Sequence, residues 1–323
     1  MIDIDNLNNI ESIANPTWAY GAAGISMTTF MLTRGARIRI ENLERLPKDP
    51  VIVAMNHTHK FDFLPLRAPL LFKGRSFVSW VKSRAYKNAK MGLFLSQTGN
   101  VPICSKGYII AADYFDLFGE RIDEETYRAL RNHADCGLPL PQTEKFDRLQ
   151  STPRAMLGWQ FNPSGTTYQE ALASAYYEMM QISLRLTRRC INLGSHVHIY
   201  PQGAVSGQLT PGHPGVVQAA LAFGLPVVTA GVSGTRETFK SSSSFLPKRG
   251  EIVVRFGNTH MIPRDEVPSD YRPFHPADER KHKSTLMLHT QKIMEDLNEQ
   301  LEPSYQWADD MKSDAKTGIS RFF

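Results

Sequence analysis

Two histidines and an aspartate follow directly on an apolar run in the stretch "VIVAMNHTHKFDF". His57 and Asp62 stand five residues apart in the spacing N-H-x4-D. Such a pair can serve as a general base and its orienter, because a carboxylate bonded to one ring nitrogen leaves the other to accept a proton. In a regular helix, residues five apart point about 140° away from each other, so ring and carboxylate meet only in a turn. A polar turn without chemistry is the alternative interpretation.

A metal site is a second chemistry that these residues could support. His57 and His59 flank one residue and Asp62 follows, which superficially resembles the spacing of metal ligands after a strand. However, Phe61 and Asp62 occupy the last two places, D and H, of the binuclear H-x-H-x-D-H pattern, and Lys60 among the ligands repels a divalent cation. The sequence therefore predicts no metal here, and a metallohydrolase is kept as an alternative.

Strands alternate with helices along the chain. Continuous apolar runs such as "VIVAM", "RSFVSWV" and "LPVVTAG" predict buried strands, while segments 168–190 and 279–301 have the spacing of amphipathic helices. This alternation favours an α/β fold, a layered sheet flanked by helices, with a helical and loop insertion. His57 then follows the end of a strand, where an open sheet places its ligand crevice.

Three segments are predicted from the composition along the chain, and the second contains an insertion. Residues 1–34 form an N-terminal interfacial or packing helix segment, 35–302 the main domain with an insertion at about 113–167, and 303–323 a C-terminal tail. The apolar stretch 18–32 is too short to span a bilayer, but arginines follow it, so it suits a membrane interface or a core equally well.

The overall composition narrows the compartment and the partners. The 323 residues carry a formal charge of +5, and Phe63 to Ala112 holds eight basic residues and no acid, which favours anionic partners. Three widely spaced cysteines favour a reducing compartment, and the acidic N-terminus argues against an export peptide. We therefore expect a cytoplasmic protein that attaches peripherally to the cytoplasmic face of a membrane.

Four blocks in sequence order resemble the glycerolipid acyltransferase family, which is typified by 1-acylglycerol-3-phosphate acyltransferase. "NHTHKFD" matches the N-H-x4-D block, and "GNVPICSK" is similar to the family's G-x-I-P-V-D-R. "YPQGAVS" is similar to F-P-E-G-T-R-S, and "LPVVTAG" to V-P-[IV]-V-P-V. The resemblance covers roughly residues 35–262.

The resemblance implies an activity and a set of site residues. It implies that His57 deprotonates an acceptor hydroxyl, with Asp62 beside it, and that the hydroxyl attacks the thioester of acyl-CoA or acyl carrier protein, which are substrates, so no cofactor is expected. The expected partners are that thioester donor, a lipid or hydroxyl acceptor and an anionic membrane surface, without nucleic acid. The predicted substrate-binding residues are Asn56, Lys82, Ser105, Lys106, Tyr200, Pro201, Gln202 and Gly203.

Departures from the family pattern affect acceptor recognition. Ser105 stands where the second block carries arginine, and Lys106 follows; Gln202 and Val205 replace the glutamate and arginine of the third block. Arginine commonly binds phosphate through two parallel hydrogen bonds from its guanidinium group. Phosphorylated acceptors are therefore in doubt, and a non-catalytic lipid- or membrane-binding member of the same fold remains an alternative to an enzyme.

Overall fold

The computed structural model describes residues 2–10, 18–239, 247–308 and 318–321. Its strands are β1 (Ala36–Glu41), β2 (Ile52–Met55), β3 (Phe77–Lys82), β4 (Asn100–Ile103), β5 (Arg154–Met156), β6 (Trp159–Phe161), β7 (His196–Ile199), β8 (Val227–Ser233) and β9 (Gly250–His260). Its helices are α1 (Ile4–Asn8), α2 (Trp18–Thr33), α3 (Phe63–Leu71), α4 (Ala89–Gln97), α5 (Lys106–Phe118), α6 (Glu124–Cys136), α7 (Glu144–Ser151), α8 (Tyr168–Asn192), α9 (Gly215–Phe223), α10 (Thr235–Thr238), α11 (Pro276–Lys281) and α12 (Lys283–Glu299).

One mostly parallel sheet organises the molecule. Among the described residues, seven strands form it in the order β1-β9-β8-β2-β7-β3-β4. The five strands from β8 to β4 are parallel, β9 is antiparallel to β8, and β1 is parallel to β9. The predicted fold, an α/β layered sheet flanked by helices, is confirmed.

Strand β2 shows why the sheet is buried on both sides. Its side chains alternate between two cores: Ile52 and Ala54 join the larger apolar cluster, and Val53 and Met55 join the other. Successive strand residues point to opposite faces, so a strand covered on both faces reads as a continuous apolar run.

Parallel strands deliver the candidate residues to one edge. Because β8, β2, β7 and β3 run in the same direction, their carboxyl ends lie together. Asn56 follows β2, Tyr200 follows β7, and a 3₁₀ turn at Ser83–Tyr86 follows β3. This is the edge where open α/β sheets bind ligands.

The predicted insertion is more ordered than the sequence suggested. The sequence indicated one short helix between 113 and 167; α5 instead continues to Phe118, and α6, α7 and the antiparallel hairpin β5–β6 follow. The hairpin turns at Leu157 and Gly158, both at positive φ (49° and 93°), as two-residue hairpin turns favour. Strands of three residues are too short to give a readable period, which is why the sequence did not reveal them.

The C-terminal elements also differ from the expectation. The predicted helix over 279–301 is two helices, α11 and α12, that meet at His282, whose φ of −108° departs from helical geometry. In the predicted tail, Tyr305 is buried, and its carbonyl accepts a hydrogen bond from Leu209 N at 2.9 Å, so this part of the tail packs on the domain. None of the helices within the described ranges has the length and apolar run needed to cross a bilayer.

Candidate active site

The Asn56 side chain continues the hydrogen-bond ladder between β2 and β8 by one step, at the point where strand β2 ends. The β2–β8 pairing runs as far as Met55 opposite Ala230. One step further, the Asn56 amide donates to the Val232 carbonyl at 2.9 Å and accepts from the Val232 N–H at 2.7 Å. The side chain thus takes the place of a backbone rung, and the main chain is free to turn away at His57. A direct contact of Asn56 with substrate stays a prediction.

Asp62 holds the turn that follows. Its Oδ2 accepts the N–H groups of Thr58 at 2.6 Å and His59 at 2.7 Å, and His57 Nδ1 lies 3.4 Å from the same oxygen. Asp62 is fully buried, and within the described residues its Oδ1 has no hydrogen-bond partner. The carboxylate is therefore fixed by the backbone, as the turn required by the N-H-x4-D spacing predicts.

The His57 ring lies between this carboxylate and a tyrosine. It stacks on Tyr200 with centroids 3.8 Å apart and planes 17° from parallel. Its side chain is 17% exposed, in contrast to the fully buried Asp62. Because Nδ1 faces Asp62, Nε2 is the ring nitrogen available to a hydroxyl group. The structure brings His57, Asp62 and Tyr200 together.

Two aromatic side chains near the His57 ring, Tyr200 and His198, are neutral. Burial, followed by the negative charge of Asp62, raises the pKa of Tyr200 well above its usual value, so the ring that stacks on His57 stays a phenol. His198 contacts Tyr200 edge-on at 4.5 Å between centroids. Burial, reinforced by the positive charges of Arg67 and His57, lowers the pKa of His198 well below its usual value. Neither neighbour therefore adds a charge beside His57 near neutral pH.

Gln202 ties the loop after β7 to the His57 turn. Its Oε1 accepts the His57 N–H at 2.8 Å, and its Nε2 donates to Gln208 O at 3.3 Å and Thr210 Oγ1 at 3.1 Å. The Ser206 N–H also donates to the His57 carbonyl at 2.9 Å. The backbone of His57 is thus held on both sides by one loop. A role for Gln202 in acceptor binding stays a prediction.

His59 belongs to the core rather than to the open edge. It is fully buried, its ring stacks on Phe239 at 4.4 Å, and its Nδ1 accepts the Phe61 N–H at 3.2 Å. In the described part of the chain, no three His, Cys, Asp or Glu residues form a cluster that could hold a metal ion.

The other predicted site residues lie in turns along the same sheet edge. Pro201 is buried, whereas Gly203 is exposed and has a φ of +66°. A Cβ at position 203 would come within 3.1 Å of the His213 ring. The Gly203 N–H donates to the Tyr200 carbonyl at 3.0 Å. Lys82 is exposed at the end of β3, and Ser105 caps α5 after β4. Their contacts with substrate stay predictions.

Two basic residues of segment 63–112, Lys106 and Arg67, form hydrogen bonds within the fold. Lys106 is buried and bonds Asp135 of α6 at 3.0 Å. Arg67 is buried in α3 and donates to the carbonyls of Phe77 at 3.0 Å and Thr98 at 2.5 Å. Burial raises the pKa of the Cys104 thiol to about 12, so this side chain stays protonated near neutral pH.

Ser206 and Val232 are two site residues whose contacts the sequence did not reveal. Ser206 acts through its backbone N–H, so its residue type carries no signal. The Val232 partner of Asn56 was hidden for a different reason, because it lies 176 residues away in the chain.

Comparisons with known proteins agree with the first two blocks. A family model described as Acyltransferase matches residues 37–129, which include His57, Asp62 and "GNVPICSK". No curated protein matches the chain significantly. Among solved structures, the 1-acyl-sn-glycerophosphate (LPA) acyltransferase PlsC from Thermotoga maritima is 13% identical, at a TM-score of 0.36, over 85% of this chain and 80% of that one. The family resemblance is confirmed for the matched segment.

Proposed function

We propose that this protein, whose residues 37–129 match the Acyltransferase family model, is an O-acyltransferase. It moves a fatty acyl group from the thioester of acyl-CoA or acyl carrier protein to a hydroxyl of a glycerolipid-type or unusual acceptor. We place it in the cytoplasm, attached peripherally to the cytoplasmic face of a membrane. The observation that carries the chemistry is the partly exposed His57 ring, with Nδ1 3.4 Å from the buried Asp62 carboxylate.

In the proposed reaction, His57 Nε2 accepts the proton of the acceptor hydroxyl as its oxygen attacks the thioester carbonyl. The tetrahedral intermediate collapses, the carbon–sulfur bond breaks, and the thiolate leaves with the proton from the imidazolium. Asp62 holds the ring and stabilises its charged form, while the Tyr200 face fixes the ring plane. Proton transfer of this kind typically contributes about 10²- to 10⁴-fold in rate.

Positions 202 and 205 bear on which acceptor the protein uses. The family's arginine is replaced by Val205, which is half-buried and offers no charge to a phosphate. The side-chain amide of Gln202 is engaged by His57, Gln208 and Thr210. Unphosphorylated hydroxyl acceptors are therefore to be tested beside lysophosphatidic acid and glycerol 3-phosphate.

Thiol release measured with acyl-CoA or acyl carrier protein, with and without each acceptor, tests the proposal. His57→Ala should slow acceptor-dependent release about 10²- to 10⁴-fold. His133→Ala, at a half-buried histidine on α6 in the insertion, is the matched control and should retain activity. Acyl transfer by the wild type with undiminished activity of His57→Ala would refute the assigned base. No transfer to any acceptor would instead favour the non-catalytic lipid-binding alternative, and activity that requires bound zinc or manganese would favour a metallohydrolase.

A further inference from the structure

Helix α4 faces the core with two small residues and exposes three of its four large apolar residues; the fourth, Leu95, is half-buried against the core. Gly92 and Ser96 are buried, whereas Met91, Leu93 and Phe94 are 49%, 63% and 54% exposed. A surface helix of a globular protein usually does the opposite, because burial of large apolar side chains is what attaches it to the core. Contiguous exposed apolar groups of this kind mark an interaction surface.

The geometry of the helix explains this arrangement. At 100° per residue, Gly92 and Ser96 lie about 40° apart on the inward side. The opposite arc then carries Leu93, Lys90, Phe94 and Met91, with the lysine between the apolar side chains. Only a residue without a large side chain fits beneath this helix at Gly92, where a Cβ would already stand 3.4 Å from Tyr86.

Basic residues surround the exposed apolar group. A groove of about 710 Å³ is lined by Arg84, Lys87 and Lys90 together with Met91 and Phe94, and its lining includes no acid. Lys87 and Lys90 are exposed, and the nearest acids along the sequence, Asp62 and Asp113, are both buried. The surface therefore combines exposed apolar side chains with cations that lie beside and between them.

This surface starts at the edge of the sheet where His57 lies. β3 and β2 are parallel to the β7 strand between them, so the turn at Ser83–Tyr86 leaves the sheet at the same edge as His57. The crossovers β2–α3–β3 and β3–α4–β4 step across the sheet in one direction, and right-handed crossovers then place α3 and α4 on one face. Helix α2 packs against α3 and exposes Ile25 and Leu32, seven residues apart, so the apolar exposure extends along this side.

We propose that the α4 surface, formed by Arg84, Lys87, Lys90, Met91, Leu93 and Phe94, binds an anionic phospholipid bilayer. The apolar side chains enter the interface and the cations contact lipid headgroups. A soluble anion without an apolar part would pair with the cations but leave the three exposed apolar side chains uncovered. A bilayer of anionic lipid supplies both negative charge for the cations and an apolar region for the apolar side chains. The inference rests on the proposed function, because a lipid acceptor has to reach His57. Its test, however, measures vesicle binding and not catalytic turnover.

The test is sedimentation of the full-length protein with phosphatidylcholine vesicles that contain or lack phosphatidylserine. The wild type should bind the anionic vesicles more tightly. Leu93→Ser with Phe94→Ser should lower the partition coefficient about 30-fold, which corresponds to about 2 kcal/mol for two partly buried apolar side chains. Leu288→Ser is the matched control, because Leu288 on α12 is 53% exposed in a different part of the molecule, and it should bind like the wild type.

The charge contribution is tested separately. Lys87→Ala with Lys90→Ala should weaken binding to anionic vesicles about 30-fold, since each basic residue at a membrane surface contributes about fivefold, and should leave phosphatidylcholine binding unchanged. His57→Ala should bind vesicles like the wild type, so failure of the chemistry and failure of the surface are distinguishable. Wild-type affinity in the Leu93/Phe94 variant, or loss of acyl-CoA binding in that variant while vesicle binding persists, would overturn the proposal.

Discussion

Gln202→Glu is the substitution whose outcome the structure specifies most closely, because it restores the residue type of the resembling family. In this chain the buried Gln202 amide uses both ends: Oε1 accepts from His57 N, and Nε2 donates to Gln208 O and Thr210 Oγ1. A carboxylate can still accept from His57 N and from the Thr210 hydroxyl. It has no donor for the Gln208 carbonyl, and it places a negative charge beside that oxygen.

The expected cost is about 1 to 3 kcal/mol of unfolding free energy, which is the penalty for leaving one buried polar group unsatisfied. Burial raises the pKa of a carboxyl group at this position, and a protonated carboxyl can donate to Gln208 O. The destabilisation relative to wild type is therefore fully present above that raised pKa and shrinks as the pH falls through it.

Urea unfolding of wild type and Gln202→Glu at about pH 8 and about pH 5 measures both parts of the expectation. Gln160→Glu, at an exposed side chain of strand β6, is the matched control and should change stability by less than about 0.5 kcal/mol at either pH. Equal stability of Gln202→Glu and wild type at the higher pH, or a difference that does not shrink at the lower pH, would refute the assigned hydrogen bonds.

Two further perturbations test the groups around the site. Asn56→Ala should lower the unfolding free energy by about 2 to 3 kcal/mol, since the buried N–H and C=O of Val232 both lose their partner; an unchanged denaturation midpoint would contradict the ladder role. Burial, and secondarily the charge of Arg75, lowers the pKa of His196 to about 4. Between about pH 6.5 and pH 4 the unfolded chain therefore binds a proton at His196 that the folded protein does not bind, and the free energy of unfolding decreases as the pH falls through this range. Wild type should therefore lose roughly 2 to 3 kcal/mol more than His196→Phe between about pH 7 and pH 4.5, and parallel losses would refute this.

The sequence predicted what depends on local patterns. Apolar runs located the strands of the parallel sheet, and the N-H-x4-D spacing required the turn in which His57 meets Asp62. Contacts between residues far apart in the sequence could not be predicted. The sequence could not indicate that Asn56 pairs with Val232, that Lys106 is bonded to Asp135, or that Arg67 donates to backbone carbonyls of β3 and of the turn before β4. Each depends on which strands become neighbours, and residue type alone does not encode that.

The two departures in the third block occupy different environments, which separates their consequences. Gln202 is buried and holds the backbone of His57, so a change there acts on the fold of the site and on the position of the ring. Val205 is half-buried one residue before Ser206, whose N–H bonds the His57 carbonyl, and its side chain has no charge. If the two residues acted together on an acceptor phosphate, both would have to face the open edge. The hydrogen bonds of Gln202 point into the loop instead, so we expect a loss of phosphate recognition to depend on position 205, and we expect position 202 to set how firmly His57 is held.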